Sequence, residues 1–339
     1  MSNWHVYKGT GKPHNAMKRF MENSPAPPWR RFRGTAPDDG LLTVDEDLRK
    51  RFATAKFQAS AKEIEVVNAA IHLGRPLLVT GKPGAGNTTL AYAVPHELKL
   101  GKVLSWSITS RATLQESLYR YDAIARLQEV NRRKLLNIED DPDIGQFIRL
   151  GPVGTALLPT RYPRVLLIDE IDKSDIDLPN DLLHVFEEGR YEIAELTRIS
   201  AEQPEVKVMP ADSDEKVIIN QGRVACQAFP IVILTSNGER EFPGPFLRRC
   251  VRLNIPEHDK AKLAKIVNTY FDGDRELTEA QRDTLIEGFL QRRSQGDLST
   301  DQLLNAIYLT RHGFDLEDVK GGKESLSETI WRHLSGGNA

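Results

Sequence analysis

The stretch GKPGAGNTTL, residues 81–90, carries residue types that could hold a phosphate. It follows the pattern G-x-x-x-x-G-K-[ST] at every fixed position but one: after Gly81, Lys82, Pro83, Gly84, Ala85 and Gly86 comes Asn87 where the pattern has lysine, then Thr88 and Thr89. In such a loop the glycines let backbone N–H groups turn inward on phosphate oxygens, and the following helix adds the partial positive charge of its amino terminus. Gly81, Pro83, Gly84, Ala85, Gly86, Asn87, Thr88 and Thr89 are therefore the candidate nucleotide-binding residues, with the Thr88 hydroxyl placed to reach Mg²⁺. Asn87 offers amide donors but no charge. A charge-assisted hydrogen bond is worth ~1.5–3 kcal/mol, so nucleotide affinity is expected to fall about ten- to a hundredfold from this position alone. Turnover should suffer more, because losing one stabiliser of developing charge costs on the order of 10²–10³ in rate.

Two further strand ends carry matching chemistry. RVLLIDEID runs four apolar residues into Asp169 and Glu170, which suits a metal-holding carboxylate followed by a general base. Two acids ending a strand could also be plain surface polarity. IVILTSNGERE ends in Asn237, whose amide could orient a water beside a terminal phosphate or could be only a turn residue. In PGPFLRRC, Arg248 and Arg249 could stabilise transition-state charge from a neighbouring subunit, or could sit solvated.

These residues need elements to position them. ASAKEIEVVNAAIHLG has Ile64, Val67, Ala70 and Ile71 at helical spacing and stops at Gly74; RPLLVTG then reads as a buried strand entering the loop. KVLSWSI, RVLLIDE and FPIVILTSN read as further strands, and TLQESLYRYDAIARLQEV and PNDLLHVFEEG as helices between them. This alternation predicts an α/β fold, a mostly parallel sheet flanked by helices. Pro95 falls inside the helix after the loop, where it removes the bond to the Ala91 carbonyl and costs ~3 kcal/mol, so a shorter or bent helix is expected. After Pro256 the strands stop. DKAKLAKIVNTYF, TEAQRDTLIEGFLQRR, TDQLLNAIYLTR and ESLSETIWRHL read as amphipathic helices of a small all-helical domain. The expected division is an arm over 1–42, the α/β domain over 43–256 and the helical domain over 257–339. Insertions fall near 131–163 and 191–229, where EVKVMP and EKVIIN suggest β-hairpins.

Composition narrows the class. The 339 residues are 40% hydrophobic and 28% charged, ordinary for a globular protein of this size. Apolar runs such as VLLI and IVIL are strand-sized, far below the ~18 residues of a membrane helix. The amino terminus lacks a signal-like apolar stretch, so a cytoplasmic location is expected. Two cysteines, Cys226 and Cys250, form no C-x-x-C motif and read as core thiols. A net charge of -2 makes the whole molecule a poor generic polyanion binder. Yet between Trp4 and Arg33 the bases Lys8, Lys12, Lys18, Arg19, Arg30, Arg31 and Arg33 face the single acid Glu22. That arm could touch nucleic acid, but no nucleic-acid module accompanies it, and a Pro-rich strap onto its own fold or a neighbouring subunit is favoured.

The order of phosphate loop, Asp-Glu strand, strand-end Asn and late arginine pair before a helical lid resembles the AAA+ ATPases among P-loop NTPases. More narrowly it resembles the MoxR-like branch, through LVTGKPGAG, LYRYDAIARLQ, LLIDEIDKSD, PNDLLHVFEEGRYEI and SNGEREFPGPFLRRC, which span about residues 61–253. The resemblance implies a ring, commonly a hexamer, with ATP and Mg²⁺ between subunits. It implies Asp169 and Glu170 as the Walker B pair, Asn237 as sensor 1 and Arg249 as the arginine finger with Arg248 beside it. The Walker A lysine would stand at Asn87. Where a sensor 2 arginine would begin a late helix, the chain has Ser299, Thr300 and Asp301. The implied activity is ATP-driven remodelling of a client protein, with a von Willebrand factor A domain protein as a possible partner. A ring scaffold without turnover, favoured by Asn87 and Pro95, is the alternative; a small-molecule P-loop kinase fits the late arginine pair poorly.

Overall fold

Strands that are apolar at consecutive positions need cover on both faces, and the computed structural model supplies it. It describes residues 4–23, 26–36, 42–47, 59–271, 277–294, 296, 298–314 and 331. In chain order, α1 (Ala16–Asn23) belongs to the arm, and α2 (Ala61–Leu73) opens on a Ser60–Glu63 capping box and closes at Gly74 in the left-handed conformation. β1 (Leu77–Thr80) leads through the glycine-rich loop into α3 (Asn87–Leu98). There follow β2 (Val103–Ser107), α4 (Leu114–Leu118), β3 (Tyr119–Tyr121), α5 (Ala123–Leu135), β4 (Ile148–Leu150), α6 (Pro152–Ala156) and β5 (Val165–Asp169). Next come α7 (Leu178–Glu188), β6 (Arg190–Glu192), α8 (Ala194–Arg198), β7 (Glu205–Val208), β8 (Val217–Asn220), β9 (Arg223–Ala225), β10 (Ile231–Ser236), α9 (Gly244–Arg249) and β11 (Val251–Asn254). Helices α10 (Lys260–Tyr270), α11 (Glu279–Arg293) and α12 (Thr300–Arg311) end the described chain.

Five strands pair in parallel in the order β11-β1-β10-β5-β2. Along β5 the side chains alternate between two cores: Val165 and Leu167 join Val67, Leu90 and Val94 from α2 and α3, whereas Leu166 and Ile168 join Leu157, Leu182 and Phe186 on the other face. β10 does the same with Ile231 and Ile233 against Val232 and Leu234. The α/β sheet with helices on both faces is thus present as read.

Three local expectations are revised or completed. TLQESLYRYDAIARLQEV is three elements, not one helix: α4, then β3 paired antiparallel with β4, then α5 capped by the Asp122 carboxylate accepting from Ala125 N–H. The tyrosines flanking Arg120 favour a strand once Ile148 and Leu150 stand opposite, so tertiary pairing overrides the helical period. Pro95 does not shorten α3, which runs past it to Leu98. It sits in the last turn and forfeits a single intrahelical bond. The 191–229 stretch holds the expected strands as an antiparallel sheet, order β6-β9-β8-β7.

Helices α10, α11 and α12 pack on one another through Leu263, Val267, Phe289, Leu303 and Ile307, a core separate from those of the sheet. The expected helix over 324–334 lies outside the described residues apart from Trp331, whose ring lies 5.6 Å from that of Phe289. Residues 37–41 and 48–58, around the expected end of the arm, also lie outside them.

The described part of the arm is strapped to its own fold. Glu97, at the end of α3 and fully buried, accepts hydrogen bonds from the backbone N–H groups of Lys8 (2.6 Å), Gly9 (3.1 Å), Thr10 (2.6 Å) and Gly11 (2.8 Å), and lies 3.1 Å from His14 Nε2. Gly9 and Gly11 both have φ of +66°, the turn that lets successive N–H groups converge on one carboxylate. Burial raises the Glu97 pKa, but hydrogen bonds from His14, Lys8 and Gly11 outweigh it and hold the carboxyl below its ordinary value. Farther along, Arg30 donates to the Gly74 and Phe186 carbonyls and lies 4.3 Å over the Phe229 ring. Cys226 and Cys250 are buried free thiols, both pushed up to about 12 by burial.

Candidate functional site

At the carboxyl end of β1 the chain turns through Gly81 to Gly86. Gly84 and Gly86 take φ of +78° and +92°, a region open to glycine, and Gly86 caps the amino end of α3. Gly81 N–H donates to the Ser236 carbonyl at 3.2 Å, which fastens the loop to the end of β10, and Ala85 N–H donates back to Lys82 at 3.0 Å. Pro83, Thr88 and Thr89 are half-buried around this turn. The first helical turn behind this glycine loop leaves orphan backbone N–H groups, donors of the type a phosphate accepts from.

Asn87 does not stand in for a lysine. Its side chain turns back, Nδ2 donating to the Gly81 carbonyl at 2.9 Å, while the buried Oδ1 has no partner. The amide bridges the two ends of the loop, and the charge that a lysine would bring is absent from this position.

The two residues expected to hold Mg²⁺ stand together. Thr88 Oγ1 donates to Asp169 Oδ1 at 3.2 Å, bringing one hydroxyl and one carboxylate together beside the loop, oxygen donors of the type Mg²⁺ prefers. Among the described residues no group of three or more His, Cys, Asp or Glu side chains could hold a metal ion.

Glu170 and Asn237 also meet. Glu170 takes a left-handed backbone, φ +59° and ψ +48°, which is costly for a residue with a Cβ and aims its side chain past the strand end. Its Oε1 accepts from Asn237 Nδ2 at 3.4 Å and its Oε2 from Lys173 Nζ at 2.7 Å. That hydrogen bond lifts Lys173 above the ordinary lysine range.

Arg248 and Arg249 stand elsewhere. Val251, which starts β11, pairs with Leu77 at the start of β1, so the arginines just before it lie at the amino ends of the strands. The phosphate loop, Asp169 and Asn237 all lie at the carboxyl ends. Arg249 forms an ion pair with Glu187 of α7, and the Arg248 carbonyl accepts from Arg75 at 3.3 Å.

Four residues at the site escaped the sequence reading. Thr235 donates to Asp169 Oδ1 at 2.5 Å and accepts from Glu170 N–H at 2.9 Å, locking the acidic pair to β10. Its signal was a hydroxyl at the end of an apolar strand. Buried Asp172 accepts from the N–H groups of Asn237 (3.0 Å) and Glu239 (3.1 Å), fixing the turn that carries Asn237. Lys173 is the third. His258 had no local signal, because it comes from the linker into α10. Its buried imidazole lines a cleft of about 210 Å³ between the loop and that helix, and its Nδ1 has no partner. Burial first, then the nearby positive charges of Lys262 and Arg293, push it down to about 4 against the opposing pull of Asp259. The helical domain also touches the loop directly: Thr300 Oγ1 donates to the Gly84 carbonyl at 2.8 Å, and a Cβ on Gly84 would lie 2.5 Å from Thr300 N.

No family model matches the chain. Over 155 residues it is 30% identical to the chaperone protein ClpB of Chlamydia caviae and 29% identical to that of Chlamydia muridarum. The similarity supports the AAA+ ATPase family. Each match takes in 44% of this chain and 16% of the relative, so the chain matches about a sixth of those relatives' length. Among solved structures, PCH-2 of C. elegans is 15% identical over 86% of this chain and 68% of its own, with a TM-score of 0.36. NtrX from Brucella abortus in complex with ADP is 14% identical over 81% of this chain and 56% of its own, with a TM-score of 0.41. No described helix is long and apolar enough to cross a membrane.

Proposed function

We propose that the chain is a MoxR-like AAA+ ATPase that binds Mg-ATP between subunits of a ring and couples hydrolysis to remodelling a partner protein, with turnover weakened at Asn87. The observation that carries this reading is the meeting of two pairs at the carboxyl ends of adjacent strands: Thr88 with Asp169, and Glu170 with Asn237. In this reading residues 81–89 cradle the phosphates, and Mg²⁺, held by Thr88 and Asp169, neutralises their charge when bound. Glu170 takes the proton from the attacking water, and Asn237 holds that water and the carboxylate in register. Arg248 and Arg249 lie at the far ends of the strands from the loop. A catalytic role for them requires a second copy whose loop they face, and the closed ring, a hexamer, rests on the family resemblance. The helical domain from 257 onward acts as the lid, the segment before 42 as a strap, and a von Willebrand factor A domain protein is a candidate partner.

Asn87 specifically favours a second reading, a ring scaffold that binds nucleotide without hydrolysing it. Phosphate release and particle mass, measured with Mg-ATP for this chain, Glu170→Gln and Asn87→Lys, separate the two. The ATPase reading expects slow release that Glu170→Gln abolishes and Asn87→Lys accelerates, with a ring in each case. Nucleotide bound with no release from this chain or Asn87→Lys establishes the scaffold, and no nucleotide bound by any of them refutes both.

A further inference from the structure

We propose that Lys262 and Lys265, on the first helix of the lid, supply the positive charge to bound polyphosphate that Asn87 does not. This rests on the nucleotide-binding reading above. Both lysines line the cleft whose opposite wall is Gly84, Ala85, Gly86 and Thr89. They stand three residues apart on α10, which places them on one helix face one turn apart. Leu263 and Val267 point the other way, into the lid core, and so fix which face looks at the loop.

The other cations near the loop are committed. Lys82, within it, is paired with Glu257 at 2.9 Å, and Arg293 lies 3.5 Å from the same carboxylate and donates to the His258 carbonyl. Lys262 is held only loosely, 3.9 Å from Glu63, whose other oxygen accepts from Ser60 N–H. Among the described residues Lys265 has no acidic partner and is exposed. His258, between these lysines and Gly86, is held neutral by burial and by the surrounding positive charge. The acids lining the cleft are Glu63 and Asp301, and the acid that opposes this shift at the imidazole is Asp259. A flexible four-carbon stem ending in an ammonium can reach a phosphate from a neighbouring element as a point charge, without the fixed geometry an arginine needs.

The test is equilibrium binding of ATP, ADP and adenosine to the full chain and to Lys262→Gln, Lys265→Gln and the double variant, at two salt concentrations. Each substitution is repeated in the Asn87→Lys background. Thermal melting of each variant confirms that it folds, and Lys265, being exposed, tolerates replacement. The expected result is an ATP affinity about tenfold weaker in the double variant, with a smaller salt dependence and unchanged adenosine binding. In the Asn87→Lys background the loss should shrink, because the restored charge makes the lid lysines redundant. An equal loss for ATP and adenosine places the lysines on the base or sugar and overturns the proposal, as does an unchanged ATP affinity or a loss of the same size in both backgrounds. If the unsubstituted chain binds none of the three ligands, the nucleotide reading itself fails and this assignment with it.

Discussion

Replacing Asn87 by lysine perturbs one position whose present contacts are known, which lets the outcome be worked through. The substitution removes the bond from Nδ2 to the Gly81 carbonyl, which holds the loop ends together and is worth ~0.5–1.5 kcal/mol. It also removes a buried Oδ1 that has no partner, a group whose desolvation costs roughly 1–3 kcal/mol, so the loop itself should lose little. What is gained is a charge-assisted bond to the β- and γ-phosphates, ~1.5–3 kcal/mol, or about ten- to a hundredfold in affinity. The gain should appear with ATP and ADP and be absent with AMP, whose single phosphate lies out of reach of a lysine at this position. Hydrolysis should rise on the order of 10²–10³, because the same charge stabilises the transferring phosphoryl group. Calorimetric titration with the three nucleotides, followed by phosphate release, measures both. A gain of equal size for AMP, or no gain for ATP with the protein fully folded, would falsify the placement of Asn87 at the phosphate-facing position.

Other perturbations follow from particular contacts. Asp172→Ala leaves the N–H groups of Asn237 and Glu239 without their acceptor, at about 1–3 kcal/mol each, and should slow hydrolysis while ATP affinity stays within about twofold; a parallel loss of affinity would argue against a role confined to the Asn237 turn. Glu97→Ala withdraws the acceptor of four backbone N–H groups and should destabilise the protein by roughly 3–5 kcal/mol, releasing residues 4–14 to protease; an unchanged melting temperature refutes the strap. His258 is neutral in the fold down to about pH 4, whereas its ordinary value is 6.5, so the unfolded chain binds the extra proton first. Its contribution is intact above about 6.5 and is lost as pH falls from there to about 4. Denaturation midpoints of His258→Asn across that window should fall less steeply than those of the unsubstituted chain, and identical slopes would show that His258 is solvated.

The sequence by itself determined the elements whose signals are local. The strands that build the sheet are consecutive apolar runs; α2 is bounded by a capping box and a glycine, and the loop by glycines that need positive φ. The placement of the candidate residues was legible for the same reason, since Thr88, Asp169, Glu170 and Asn237 each end or follow a recognisable run, and the structure brings them together in pairs. Tertiary structure decided what depends on distant partners. It broke the expected helix at Tyr119 because Ile148 and Leu150 stood across from it, and carried α3 past Pro95 because the proline falls where one bond is at stake. It also turned the Asn87 amide onto Gly81 and brought His258, Lys262 and Thr300 to a loop more than 170 residues earlier. No spacing along the chain encodes such an approach, because it is set by how two separately packed cores rest against each other.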